Sequence, residues 1–177
     1  MSRDIDVVDA LRHYRHDWLN QIQLIKGNLA LGRLDKVDSI IDDLVQQSKN
    51  ESQLSNMNIP KVATSLLTCN WEEHPYIVSF ETLTGEQGWS SYEDEIFRLI
   101  NDIFNIFDEQ SNRGEDNHLL LIFNDLNGKM IEIDFQGFLR KDHYLNDQIA
   151  HFKEQYDEKV TKIDWNEREC YIKICFE

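Results

Sequence analysis

The sequence predicts an α+β chain in two parts: an N-terminal antiparallel helical hairpin that dimerises into a four-helix bundle, and a C-terminal α/β sandwich. Three observations carry this. Apolar residues recur at helical spacing over about residues 4–51 with one short break. From residue 60 on, the period switches repeatedly between helix and strand. Two amphipathic helices cannot enclose a core alone, whereas two hairpins related by a two-fold axis can.

The first helix is predicted over about residues 4–31. At about 100° per residue, Val7, Leu11, Tyr14, Trp18, Ile22, Ile25 and Leu29 share one broad stripe. Gly32 follows as the C′ residue, free to take positive φ. Asp35 is expected to N-cap a second helix, with Asp38 at N3 as in a capping box. That helix runs to about residue 51, with Val37, Ile40, Ile41, Leu44, Val45 and Ser48 on one face. The hairpin could instead pack on the chain's own C-terminal part. The length of the stripe and the further apolar residues Leu19, Leu24 and Leu31 favour the dimer.

Residues 49–60, KNESQLSNMNIP, are polar and end in a proline, which places the module boundary there: 1–54 for the hairpin, 55–177 for the sandwich. Residues 60–70 read as helix and YIVSFETL (76–83) as a strand. Residues 91–110 form a strongly amphipathic helix, with Ser91 as its N-cap. Residues 118–135 predict a hairpin turning at Asn127-Gly128, residues 141–156 a helix, and residues 160–177 a second hairpin turning near Asn166-Glu167. This order implies helices on one side of a largely antiparallel sheet.

Composition narrows the function. Hydrophobic residues make up 41% of 177, with four Trp and nine Phe, enough for a real core. The net charge of −15 argues against nucleic acid as a partner, which would need a basic footprint. Residues 1–31 hold four basic and four acidic side chains, so the excess of acid lies wholly beyond them, where 14 basic residues face 29 acidic ones. The first helix is thus the least repulsive place for an acidic partner. Cys69, Cys170 and Cys175 form no CxxC pair and sit in apolar segments, which suits reduced cysteines and a cytoplasmic setting. The charged N-terminus does not resemble a signal peptide, and no apolar run is long enough for a membrane span.

His16 points away from the apolar stripe, and Arg12, Asn20, Gln23 and Gly27 share its face. Glycine in mid-helix costs about 1 kcal/mol relative to alanine. Close approach of a partner is one reason for Gly27; helix packing or chance are others. Neutral imidazole is a competent nucleophile toward phosphorus. An adjacent carboxylate, Asp17, can orient the ring, and an amide one turn on, Asn20, can bind a phosphoryl oxygen or a water. Arg12 and Arg15 can meet phosphoryl charge or an acidic docking surface. An exposed histidine with no role is the plainer alternative. A metal site is disfavoured: His13 and His16 diverge by about 60° on a helix, with no third ligand in view.

The string RHDWLNQIQLIKGNL (15–29) contains H-D-x-x-N, which resembles the phosphoacceptor motif of two-component sensor kinases. With ESQLSN (51–56) it is similar to the Bacillus-type sporulation initiation phosphotransferase family, and a weaker likeness extends over nearly the whole chain. The resemblance implies a helical hairpin that dimerises and a C-terminal domain shaped like a degenerate histidine-kinase ATPase domain. Asn101 and Asn105 mimic the paired asparagines of such ATP sites, and Asp134 and Gly137 in DFQGFLRKD (134–142) leave only D-x-x-G of a D-x-G-x-G loop. Gly137 is the last glycine, so no glycine-rich lid follows. The expectation is a fold retained and ATP binding lost, with both asparagines ordinary helix residues.

The resemblance implies a phosphorelay in sporulation initiation. His16 would be the catalytic phosphoacceptor, taking a phosphoryl group from the aspartyl phosphate of one response regulator and passing it, as phosphohistidine, to the aspartate of a second. Asp17 and Asn20 would be accessory, while Arg12, Arg15, Gln23, Leu24, Lys26 and Gly27 would dock the regulator. No cofactor or metal is expected in this chain; Mg²⁺ would sit in the regulator's acidic pocket. The alternatives are a dimeric non-catalytic scaffold that binds an effector and, less favoured by these residues, an ATP-dependent histidine kinase.

Overall fold

A computed structural model of the chain describes residues 7–83, 88–140 and 143–176. Residues 4–6, at the start of the predicted first helix, and 141–142, at the start of the predicted last one, lie outside them. The chain divides into two compact units, Met1–Glu51 and Ser52–Glu177.

The N-terminal unit holds α1 (Val7–Ala30) and most of α2 (Leu34–Asn56). The turn between them is a Schellman motif. Gly32 takes φ +68, its N–H donates to the Leu29 carbonyl at 3.1 Å, and the Arg33 N–H donates to the Asn28 carbonyl at 3.0 Å. Gly32 supplies the left-handed conformation at the C′ position the sequence indicated. The turn is so tight that α2 resumes at Leu34, and the Val37 N–H already bonds the Arg33 carbonyl at 3.1 Å. Asp35 therefore lies inside the first turn rather than at the cap, and the capping-box expectation fails. Asp35 still meets the positive end of the helix dipole.

The polar run at 49–56 also departs from expectation. It is helix, continuing α2 to Asn56. None of its residues breaks a helix, and Gln47 donates to Glu51 one turn on at 2.8 Å. The helix stops where Asn58 takes φ 59, a conformation that asparagine tolerates. Pro60 then opens α3 (Pro60–Thr68) at its first turn, where a missing N–H does no harm.

The C-terminal unit is a five-stranded mixed sheet with helices on one face. In order come α3, a 3₁₀ turn (Cys69–Trp71), β1 (Ile77–Leu83), a 3₁₀ turn (Ser90–Tyr92), α4 (Glu93–Gln110), β2 (His118–Asn124), β3 (Lys129–Gln136), α5 (His143–Gln155), β4 (Val160–Trp165) and β5 (Glu169–Phe176). Ser91, expected as the cap of α4, sits within the 3₁₀ turn, and Tyr92 holds the N-cap position without a side-chain bond. Strand order is β1-β2-β3-β5-β4. Both predicted hairpins are present and antiparallel. Gly128 takes φ 106 in the first turn, and Asn166 Oδ1 accepts from the Arg168 N–H at 2.7 Å in the second. The pair β1–β2 is parallel, because α4 lies between the strands as a crossover.

One face of the sheet makes the core. Leu119, Leu121 and Phe123 of β2, Ile131, Ile133 and Phe135 of β3, and Cys170, Ile172 and Ile174 of β5 are fully buried. They meet Ile96, Leu99, Ile100, Ile103 and Phe107 of α4, and the Phe107 and Phe135 rings stack at 4.5 Å. Each such side chain contributes about 1.5–3 kcal/mol by leaving water. Polar groups pin the rim. Asn70 fills the outer edge of β1 like a short strand, accepting from the Val78 N–H at 2.9 Å and donating to the Val78 carbonyl at 2.7 Å. Asn117 donates to the carbonyls of Pro75 (2.8 Å) and Asn112 (2.9 Å) and accepts from the Phe138 N–H (2.7 Å).

Candidate functional site

α1 is a regular helix from Val7 to Ala30, so residues one turn apart share a face. His16 lies at its middle with a side chain 73% exposed. Its Nδ1 has two neighbours. Asp17 Oδ1 lies at 3.4 Å, positioned by the next residue along the helix. Asn20 Nδ2 lies at 3.2 Å, positioned by the i, i+4 spacing. Nε2 has no protein partner among the described residues. The helix therefore holds one ring nitrogen and leaves the other open. At that exposure the ring stands at the surface and not inside an enclosed pocket, which suits reaction with a large partner rather than enclosure of a small substrate.

The six residues expected to dock a partner surround this point. Arg12 pairs with Asp9 at 2.6 Å, and Arg15 donates from Nε to the Leu11 carbonyl at 3.1 Å. Both guanidinium groups remain at the surface. Gln23, Leu24, Lys26 and Gly27 are exposed, and their side chains make no hydrogen bond or ion pair among the described residues. A Cβ added at Gly27 would meet nothing within 4 Å, so no contact among the described residues requires a glycine there. Leu24, 53% exposed, and Leu19, 57%, rim the His16 face on either side. The opposite stripe is exposed as well. α1 contains no buried residue, and Tyr14, Trp18, Ile22 and Leu29 all stand open to solvent.

The kinase-like positions in the C-terminal unit do not form one site. Asn101 donates to the Phe97 carbonyl of its own helix at 2.7 Å. Asn105 is exposed. Asp134 alternates with Ile133 and Phe135 along β3, so it lies on the sheet face turned away from α4. The sheet separates it from Asn101. Gly137 has a local reason: a Cβ there would lie 2.2 Å from Asn117 Oδ1 and 2.9 Å from its Cα. Close packing on Asn117, rather than a phosphate, accounts for this glycine.

Sequence reasoning missed a second histidine–carboxylate pair. His74 Nδ1 lies 2.7 Å from Asp108 Oδ1, and its ring stacks on Tyr76 at 5.2 Å. Its side chain is only 10% exposed. Burial and the Asp108 charge push the Tyr76 phenol well above its ordinary value. His74 borders a cavity of about 340 Å³ also lined by Arg113 and Asn117. Its partners are 34 residues apart, so no local motif could signal it. Among the described residues, no group of three His, Cys, Asp or Glu side chains is placed to hold a metal ion, and no helix is long and apolar enough to cross a membrane.

Two family models match the chain in succession. The family model of the SpoOB-type sensor-kinase alpha-helical domain matches residues 2–57, and that of sporulation initiation phospho-transferase B, C-terminal, matches residues 58–177. Sporulation initiation phosphotransferase B of Bacillus subtilis (strain 168) is 31% identical over 172 residues, covering 96% of this chain and 88% of that protein. Among solved structures, the histidine kinase domain of the Erythrobacter litoralis EL346 blue-light activated histidine kinase aligns with a TM-score of 0.41 and 10% identity over 63% of this chain and 56% of that one. The blue-light activated kinase itself aligns with a TM-score of 0.41 and 9% identity over 99% of this chain and 62% of that one.

Proposed function

The chain belongs to the sporulation initiation phosphotransferase B family, and on that premise we propose that it is a phosphorelay histidine phosphotransferase with His16 as its phosphoacceptor. The observation that carries this reading is the exposed imidazole whose Nδ1 is held by its own helix while Nε2 is open. An aspartyl phosphate on a donor response regulator is approached in line by the Nε2 lone pair. The phosphoryl group moves to Nε2 and then to the aspartate of an acceptor regulator. Such transfer depends chiefly on positioning and charge stabilisation. Asp17 orients the ring by accepting from Nδ1–H. Arg12, Arg15, Gln23, Leu24, Lys26 and Gly27 form the docking rim, and the missing side chain at Gly27 lets a partner approach the helix backbone.

The apolar stripe opposite His16 is the seam of a homodimer through residues 7–50, which completes a four-helix bundle and leaves the His16 face outside. An ATP-dependent kinase is disfavoured, because Asn101 and Asp134 lie on opposite sides of the sheet. The test is to incubate the full chain with a phosphorylated response regulator and look for acid-labile, base-stable label on this chain. Label from the regulator, and none from ATP with Mg²⁺, is expected. No label from the regulator would leave a scaffold; label from ATP would mean a kinase.

A further inference from the structure

His16 Nδ1 faces two groups of opposite kind. Asp17 Oδ1 can only accept a hydrogen bond, and Asn20 Nδ2 can only donate one. A neutral imidazole carries one N–H, so a single protonation state of Nδ1 cannot satisfy both. The two neighbours therefore suit different stages of a phosphoryl cycle.

For attack, the lone pair must be on Nε2, so the proton sits on Nδ1, where Asp17 accepts it. The Nε2–P bond forms as the P–O bond to the donor carboxylate breaks, and its electron pair leaves on that carboxylate. The ring is then a phosphoimidazolium with its proton on Nδ1. Loss of that proton to water gives a neutral phosphoimidazole with a lone pair on Nδ1, the form that accepts from Asn20. For onward transfer, the acceptor's carboxylate oxygen attacks phosphorus and the Nε2–P bond breaks, its electron pair returning to Nε2. A ring that has taken a proton back from water onto Nδ1 leaves as neutral imidazole, whereas an unprotonated ring would have to leave as the much poorer imidazolate.

Resting on the reading of His16 as the phosphoacceptor, we propose that Asn20 is a positioning residue that stabilises the neutral, long-lived phosphohistidine, while Asp17 stabilises the forms that attack and leave. The other charged or titratable groups within about a turn of His16 are on α1: Arg12, paired with Asp9; His13; and Arg15, bonded to the Leu11 carbonyl. No hydrogen bond or ion pair from another element reaches His16 among the described residues.

The experiment uses the full chain with ¹⁵N-labelled histidine, phosphorylated chemically with phosphoramidate, and His16→Ala to identify the His16 signals. Wild type, Asn20→Ala, Asn20→Asp and Asp17→Asn are compared by the midpoint of the Nδ1 titration and by the rate of phosphoryl loss across pH, with circular dichroism to check the fold. Asn20→Ala is expected to raise the midpoint by about half to one pH unit and shorten the lifetime near neutrality about 3- to 10-fold, the size of one hydrogen bond to an exposed ring. Asn20→Asp should raise it further and Asp17→Asn should lower it. In the unphosphorylated ring, Asn20→Ala should move the tautomer balance toward Nδ1–H, which loss of a merely structural asparagine would not do. An unchanged or lowered midpoint in Asn20→Ala, or an unchanged tautomer balance, overturns the proposal. Phosphoramidate needs no regulator, so a failure of regulator-driven labelling would count against the transferase reading alone.

Discussion

Trp18 and Phe107 are both large aromatic side chains on amphipathic helices of regular period. Phe107 is fully buried and stacked on Phe135 at 4.5 Å, whereas Trp18 remains 45% exposed. The difference extends to their units. α4 buries eight residues against α3, α5 and one face of the sheet, while α1 buries none. The apolar period on each helix says that a face is to be covered, and it is silent on whether the cover comes from the same chain. In the C-terminal unit the sheet supplies it. In the N-terminal unit a contiguous apolar face stays open, of the kind that marks an association site. That face runs opposite His16, so covering it with a second copy leaves the imidazole accessible.

The largest expected effect tests that cover. Trp18→Asp or Ile41→Asp puts a charge into the proposed dimer seam, once from each copy, and is expected to give monomer or unfolded protein by light scattering at micromolar concentration, where the proposal expects the wild type to be a dimer. The seam should bury roughly 2,000 Å² or more, and a wild-type monomer would break the comparison. Next, Phe107→Ala should cost about 3–5 kcal/mol in denaturant unfolding of the C-terminal unit while the dimer persists; loss of the dimer instead would mean that the association surface is elsewhere.

A smaller effect comes from pH. Burial pushes the Cys69 and Cys170 thiols from 9.0 up to about 12, and it raises the Tyr76 and Tyr156 phenols from 10.0 as well. The folded state thus favours the neutral forms. This stability is complete below about pH 9 and is lost as pH rises, because the unfolded chain ionises first. The loss should be on the order of 2 kcal/mol by pH 10, read as a fall in urea midpoint of the C-terminal unit. A flat midpoint between pH 8 and 10 would contradict the burial of these groups.

Local signals were the legible ones. Gly32 was readable because a Schellman turn demands positive φ, and the hairpin turns because Asn127-Gly128 and Asn166 carry their own turn chemistry. The juxtaposition of His16, Asp17 and Asn20 was readable because i, i+1 and i, i+4 spacings on a helix fix proximity. The polar run at 49–56 misled because polarity alone does not end a helix; Asn58 does, through its backbone. The caps expected at Asp35 and Ser91 failed because a tight turn and a 3₁₀ turn moved the helix starts. Nothing local could reveal Asn70 on the edge of β1, the Asn117 contact that demands Gly137, or the His74–Asp108 pair, since each depends on tertiary placement.

That last pair offers the sharpest contrast with His16. His74 has the closer carboxylate, at 2.7 Å against 3.4 Å, but is nearly buried, whereas His16 is open. If accessibility on the helical unit decides the chemistry, the looser pair carries the phosphoryl group. The direct measurement is to load the full chain from a phosphorylated response regulator and map the label by mass spectrometry under basic conditions, with His16→Ala alongside. The account predicts label on His16 alone, and an unlabelled His16→Ala protein whose dimerisation is unchanged and whose stability lies within about 0.5 kcal/mol of wild type. Label on His74 or any other residue, or a folded His16→Ala protein that still takes up label, would contradict it.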